Sequence, residues 1–456
     1  MSIPLFGLRS PRNGNNCATV LERRLPQWSA AALAGALALG GVTAGSQGTE
    51  VVALVEHPAP MPQSWTQFRL NGEHNPVIDA PTSAAWHFET HGQISASPAI
   101  VGGVVYLGTN GGSLYAIKAA SGAVLWTYRA LNGLKSNPLV YGGVVIVGVG
   151  NADSTTIKSR AKVRVGSGSS GIVALDAGTG HKRWYFPLSG TGQPTAAIVD
   201  GLLIHHDGDG VVVALDPRTG RLLYRQNVRA VASMVGAVPV GDDLVVTTGI
   251  FPNRVIAIHR GTGGLAWAWE LSAANSGLGD CPPATDGQAV FCDYLSPVQH
   301  GPPVDPGVTA REHVYALDAH TGKAQWDVAL ESGTVPSRNE SAIPLLYRER
   351  LYVGSAVAPY LHAIDTKTGK VLWSREVHGA VKGGIVARNG IVYFGDLQGY
   401  LWALNATTGR VIGVRKTGTP FNVGSPVIVG GSLIIGSNTG RISSIPLNEI
   451  FWSQDA

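Results

Sequence analysis

Ser97–Trp126 reads SPAIVGGVVYLGTNGGSLYAIKAASGAVLW and holds four short apolar runs separated by glycine-rich breaks. Ala99–Val101 and Val104–Leu107 flank Gly102-Gly103, a pair suited to a two-residue hairpin turn. Asn110-Gly111-Gly112 ends the second run, and Leu114–Ile117 forms a third. Ser121-Gly122 then turns the chain into Val124–Trp126. The spacing predicts a four-stranded antiparallel meander, which is too small to bury its own faces and needs neighbours.

The same chain supplies them. A signature of apolar residue, any residue, alanine, apolar residue, acidic or polar residue, then Thr/Ser-Gly and an aromatic, recurs throughout. It reads GIVALDAGTGHKRW to Trp184, VVVALDPRTGRLLY to Tyr224 and RVIAIHRGTGGLAW to Trp267. It returns as HVYALDAHTGKAQW to Trp326, YLHAIDTKTGKVLW to Trp373 and YLWALNATTGRVIG to Gly413. From Ser425, SPVIVGGSLIIGSNTGRISSIPL has the first three runs but no final aromatic strand. The missing strand lies at the other end of the chain, in AAWHFET around Trp86. Four-stranded repeats of about forty residues indicate a propeller. The expectation is all-β: an eight-bladed β-propeller of four-stranded antiparallel blades, its ring closed by the N-terminal strand around Trp86. Residues 81–447 form the ring, after a leader (1–49) and an entry segment (50–80) and before a tail (448–456).

Composition narrows the function classes. Sixty glycines and 44% hydrophobic residues suit a turn-rich β protein. Only 14% of residues are charged, against roughly 25% in ordinary soluble domains. With 30 carboxylates, few charges are lost on acidification, which suits an acid-exposed envelope location and equally follows from a glycine-rich β composition. A net charge of +4 is too mild for nucleic acid. Arg9, Arg12, Arg23 and Arg24 precede the uncharged stretch Ser29–Gly45, and Val42-Thr43-Ala44 offers small residues for signal peptidase. The expected location is periplasmic or extracellular, by a signal peptide or an uncleaved N-terminal anchor. Beyond Cys17 in the leader, the cysteines are Cys281 and Cys292. If Asp286-Gly287 is a two-residue turn, 285 opposes 288 and 281 opposes 292. That allows a cross-strand disulfide, with two free buried thiols as the alternative.

Function is expected where the repeat breaks. Aligning innermost strands puts Ser95, Lys135, Gln193, Val235, Gly279, Ser341, Lys382 and Val423 at one ring level, with Asp280 one step on. Most are small or apolar; Lys135, Lys382 and Asp280 are not. Arg338, Asn339, Glu340 and Asn422 lie nearby in sequence. Two inserts, 151–170 in blade two and 293–312 in blade five, are expected to wall the same tunnel mouth. The hairpin count that opposes the cysteines also sets Asp280 beside Asp293, a pair able to hold a proton for acid–base work. HHDGDG, His205–Gly210, has metal-ligand composition but aligns with an ordinary turn.

The Ala-Leu-Asp…Thr-Gly…Trp repeats resemble the pyrroloquinoline-quinone (PQQ) type propellers from Trp86 to about Leu447. That family includes quinoprotein alcohol dehydrogenases and the envelope scaffold BamB. The resemblance implies that the recurrent aromatics pack between blades. WTQFRLNGEHNPVID, Trp65–Asp79, is similar to the entry segment of exported propellers with tetrathionate hydrolase activity. It implies a small anionic substrate held by Lys135, Lys382 and Arg338, with Asn339, Glu340, Asn422 and Gln193 around it and Asp280 as general base. No cofactor is expected on that reading. The alternatives are a scaffold for an envelope protein partner and a dehydrogenase carrying PQQ with calcium. The last conflicts with the absence of adjacent cysteines.

Overall fold

The computed structural model describes residues 75–80, 84–150, 170–250, 252–272, 275–278, 282–298, 303–336 and 341–451. Within the compact unit Ala59–Ala456 these form eight antiparallel blades. Seven are consecutive four-stranded meanders. The one short helix among the described residues is a 3₁₀ turn, Leu447–Glu449. The all-β, eight-bladed expectation holds.

The signature has a physical reading at every residue. In blade six, Asp365 Oδ1 accepts the Thr368 N–H at 2.9 Å and the Thr368 hydroxyl at 2.7 Å, shaping the turn between the third and fourth strands. Gly369 follows with φ +69°, a conformation that costs glycine nothing. A Cβ on Gly369 would stand 2.8 Å from the Trp326 ring, so the aromatic of one blade lies flat on the Thr-Gly turn of the next. The indole then donates Nε1–H to Thr366 O at 2.9 Å. The same peg joins Trp86 to Ala119 O, Trp126 to Ala177 O, Trp184 to Pro217 O, Trp267 to Ala319 O and Trp373 to Ala406 O. Tyr224 packs on Gly263 as the seventh peg. The aromatics are inter-blade packing devices.

The seam between blades seven and eight has no aromatic peg, because Gly413 stands in its place. The chain past the last strand fills it instead: a Cβ on Gly413 would overlap the backbone of Ile450 and Phe451, and Ile450 is fully buried.

Ring closure uses the N-terminal side twice. Trp86–Glu89 pairs antiparallel with Arg441–Pro446, Trp86 opposite Ser444, as expected. Val77–Ile78, inside the entry segment, also adds a parallel strand to Val427–Val429 and gives blade eight five strands. Asn75 ties this strand to blade seven, donating Nδ2–H to Ala387 O at 3.1 Å and accepting the Ala387 N–H at 2.8 Å.

Blade five corrects two expectations. Thr285 opposes Val290, not residue 288, because Asp286 Oδ1 accepts the N–H groups of Gln288 and Ala289 and widens the turn. The 293–312 insert is also not wholly a loop. The strands Ala289–Pro297 and Thr309–Asp318 run through its ends, and Ala324–Thr334 pairs along the second of them. The blade-two insert lies outside the described residues save for Ser170.

Candidate functional site at one tunnel mouth

A polar belt joins the innermost segments. Ser425 N–H donates to Ser97 Oγ at 2.8 Å, and Ser97 N–H donates to Asn137 Oδ1. Asn137 N–H and Nδ2–H both reach Thr195 Oγ1, at 3.1 and 2.7 Å. Thr195 N–H continues to Val235 O at 2.8 Å. Blades eight, one, two, three and four are thus linked around the tunnel. Ser97, Asn137, Thr195 and Ser425 each sit two residues past the ring level expected to line it, Val235 belongs to that level, and no repeat signature marks these residues.

At that level Gln193, Val235, Ser341, Lys382 and Val423 are buried, while Ser95 and Lys135 are half-buried. Lys382 is only 4% exposed. Both Lys382 and Lys135 have interaction partners within the protein. Three other mouth residues hold buried polar atoms with no partner in the protein: Gln193 Nε2, Ser341 Oγ and Asn422 Oδ1. Buried polar groups are rarely left unpaired, so these atoms are open to a ligand or water. Asp280, Cys281, Arg338, Asn339 and Glu340 lie outside the described residues.

Asp293 is found, and it has a carboxyl neighbour that was not counted on the sequence. It is 1% exposed, and its Oδ2 accepts the Ala342 N–H at 2.9 Å. Its acidic partner is Glu312, a fully buried diagonal neighbour across the hairpin, hydrogen-bonded to it. Glu312 Oε1 accepts the Ala356 N–H at 3.3 Å. Burial, then the charge of Glu312, pushes Asp293 well above the usual carboxylate range. Burial raises Glu312 as well. The pair therefore holds a proton where isolated carboxyls would have lost it. Glu312 was counted only as the end of an insert; its burial could not be read before the strands were known to extend.

Further along this hairpin, His313 Nε2 lies 3.0 Å from Ser296 Oγ and Nδ1 lies 2.8 Å from Asp327 Oδ1. Tyr294 OH donates to the other Asp327 oxygen at 2.7 Å. The order Ser–His–Asp resembles a nucleophile relay. However, Leu295 directs its backbone to Ser276, so the Ser296 amide faces the Thr309–Asp318 strand. No described pair of donors forms an oxyanion pocket beside Ser296, and the cluster reads as stitching of the extended hairpin. His205 and His206 are fully buried, and among the described residues no group of three His, Cys, Asp or Glu side chains could hold a metal ion. Calcium takes six to eight oxygen ligands. Among the described mouth residues the side chains on offer are two lysines, the amides of Gln193 and Asn422 and the hydroxyls of Ser95 and Ser341. Cys292 is buried and disulfide-bonded.

A family model described as outer membrane protein assembly factor BamB matches residues 76–276, 208–357 and 310–449. The chain is 26% identical over 441 residues to a tetrathionate hydrolase of Acidithiobacillus ferrooxidans, covering 85% of this chain and 87% of the relative. It is 24% identical over 300 residues to the outer membrane protein assembly factor BamB of Yersinia pestis, covering 62% of this chain and 69% of that one. The solved quinohemoprotein alcohol dehydrogenase of Comamonas testosteroni superposes with a TM-score of 0.61 at 14% identity, over 84% of this chain and 80% of that one. That last likeness concerns the fold alone. The chain belongs to the family described as outer membrane protein assembly factor BamB, the PQQ-type eight-bladed propellers.

Proposed function

We propose that this propeller is a hydrolase of a small sulfur oxyanion, a polythionate such as tetrathionate, acting at the tunnel mouth outside the cytoplasm. The observation that carries the reading is the 26% identity to a tetrathionate hydrolase, sustained over 85% of the chain. The mouth supplies suitable chemistry. Lys135 and Lys382 place positive charge at the mouth of a narrow tunnel, where low-dielectric walls focus the field. The unpaired Gln193 Nε2 and Ser341 Oγ are available to sulfonate oxygens, and Arg338 is assigned to the same task.

In the proposed step, water adds to an inner sulfur of tetrathionate and the central S–S bond breaks. The bond's electron pair leaves on thiosulfate, the other half carries the new hydroxyl, and one proton passes to a base. Asp280 is the assigned base. Cys281 is the assigned disulfide partner of Cys292, fixing the segment that carries Asp280. No bound cofactor is needed for this step.

The test is thiosulfate release from tetrathionate between pH 2 and pH 7 by the purified chain, without added PQQ or calcium. Turnover that is lost in Asp280→Asn, with KM raised in Lys382→Met, is the expected result. An inactive wild-type chain across that range would overturn the reading. The family's description then favours a scaffold for an envelope protein partner.

A further inference from the structure

One position of the repeat divides the blades into two sectors. It is the residue of each second strand that lies opposite the residue two before the signature alanine, or its counterpart Ser444 in blade eight. Five blades place glycine there: Gly108, Gly148, Gly354, Gly395 and Gly436. The segment leading into the next blade lies directly on each of them. A Cβ on Gly108 would stand 2.7 Å from Leu134 O, and one on Gly395 would stand 2.5 Å from the Phe421 ring. The other three glycines are closed by Gly192, Val381 and Ile94 in the same way. In three consecutive blades the position carries a side chain instead: His206, Thr248 and Asp293. All three are buried. His206 and Asp293 stand beneath the segments that lead into blades four and six. His206 Nε2 meets Ala230 O at 2.6 Å, and Asp293 meets the Ala342 N–H.

We propose that Asp293 and Glu312 are positioning residues: a hydrogen-bonded acid pair that grips blade six at Ala342, in its entering segment, and at Ala356, in the loop after its second strand, and so sets the height of that entering segment above the tunnel mouth. The inference rests on the reading of that mouth as the site. Geometry makes the pair a unit. The two carboxyls are diagonal neighbours on one face of the hairpin, and each accepts a backbone N–H from blade six. Two carboxylates cannot share this buried space without a proton between them. The groups facing the pair are few. From its own blade come the Tyr315 hydroxyl and the disulfide-bonded Cys292. From blade six come Ser355 and His362, and His362 lies 2.9 Å from Glu331. Loss of the shared proton should therefore release the blade-six segment. An amide in place of either acid should hold it at any pH, because its N–H replaces the proton.

Hydrogen exchange read by mass spectrometry on peptides spanning 341–346 and 355–360, corrected for intrinsic rate, tests this. The wild-type chain is expected to lose protection at both peptides as pH rises from 6 to 9, by about tenfold per pH unit once the pair ionises. Asp293→Asn and Glu312→Gln are each expected to keep that protection across the range. For a chain that turns over tetrathionate, Asp293→Gly should raise KM more than it lowers kcat, because the segment settles as it does in the glycine blades. Protection that falls equally in wild type and both amide variants, or that never falls in wild type, overturns the pair's role. Absence of turnover counts against the hydrolase reading alone, since the exchange result does not depend on it.

Discussion

His205 occupies a position that is Leu107, Val147, Thr247, Cys292, Val353, Phe394 and Ile435 in the other blades. Both its ring nitrogens are buried without partners. Burial, then the neighbouring His206, lowers its pKa from 6.5 to about 3. Burial lowers His206 to about 4. For a histidine depressed in the folded state, the unfolded chain takes the proton first. The stability at stake is present above the ordinary histidine range and is lost as pH falls through the folded value. His205→Leu should therefore raise stability by about 1–3 kcal/mol at neutral pH through loss of the unpaired groups, and by more at pH 4. Urea unfolding at the two pH values checks both the gain and its direction. Two tyrosines make a second test. The Tyr224 hydroxyl is buried without a partner, whereas Tyr352 OH donates to Ala406 O at 3.0 Å. Tyr352→Phe should cost about 1 kcal/mol and Tyr224→Phe should cost nothing. Equal losses in thermal unfolding would show that the hydroxyl contacts do not decide the matter.

At the scale of the blade, the indole peg is the unit of adhesion. Trp326→Ala removes both the ring lying on Gly369 and the hydrogen bond to Thr366 O. A loss of about 3–5 kcal/mol is expected in denaturant unfolding, as for other large aromatic deletions. The peg was legible in the sequence because its chemistry is local and repeated. An Asp or Asn, a Thr, a Gly and a Trp at fixed spacing describe one turn and the ring that lies on it. The register of blade five was not legible by the same route. Asp286-Gly287 looks like a two-residue turn, and only the Asp286 contacts to Gln288 and Ala289 reveal the wider one. That difference shifts the register of the pairs next to the turn, Ala284 with Phe291 and Thr285 with Val290. The strand Val77–Ile78 was hidden for another reason: two residues carry no periodicity, and pairing depends on edge groups of Val427–Val429, far along the chain. Of the mouth, the ring level of Lys135, Gln193, Ser341 and Lys382 could be counted from the hairpins. The belt of Ser97, Asn137 and Thr195 could not, since its bonds run between blades.

At the scale of the whole molecule, the ring is held shut in blade eight by strands from both ends of the chain. Val77–Ile78 covers the inner edge, and Trp86–Glu89 covers the outer one. A chain beginning at residue 84 keeps the outer strand and loses the inner strand together with the Asn75 bonds to Ala387. Its thermal midpoint should fall by several degrees while unfolding stays a single transition, because the other seams remain intact. Calorimetry that instead resolves two transitions would mean that blade eight opens independently of the ring. The two-sided grip also fixes an order of events. Glu89 and Arg441, which meet across the closing pair, are 352 positions apart in the chain. A nascent polypeptide cannot complete blade eight until its last strand has emerged. Up to that moment Trp86–Glu89 is an uncapped edge, open to pairing with the same strand of another copy. The closure that seals the finished propeller thus makes its unfinished form the stage most exposed to exchange between chains.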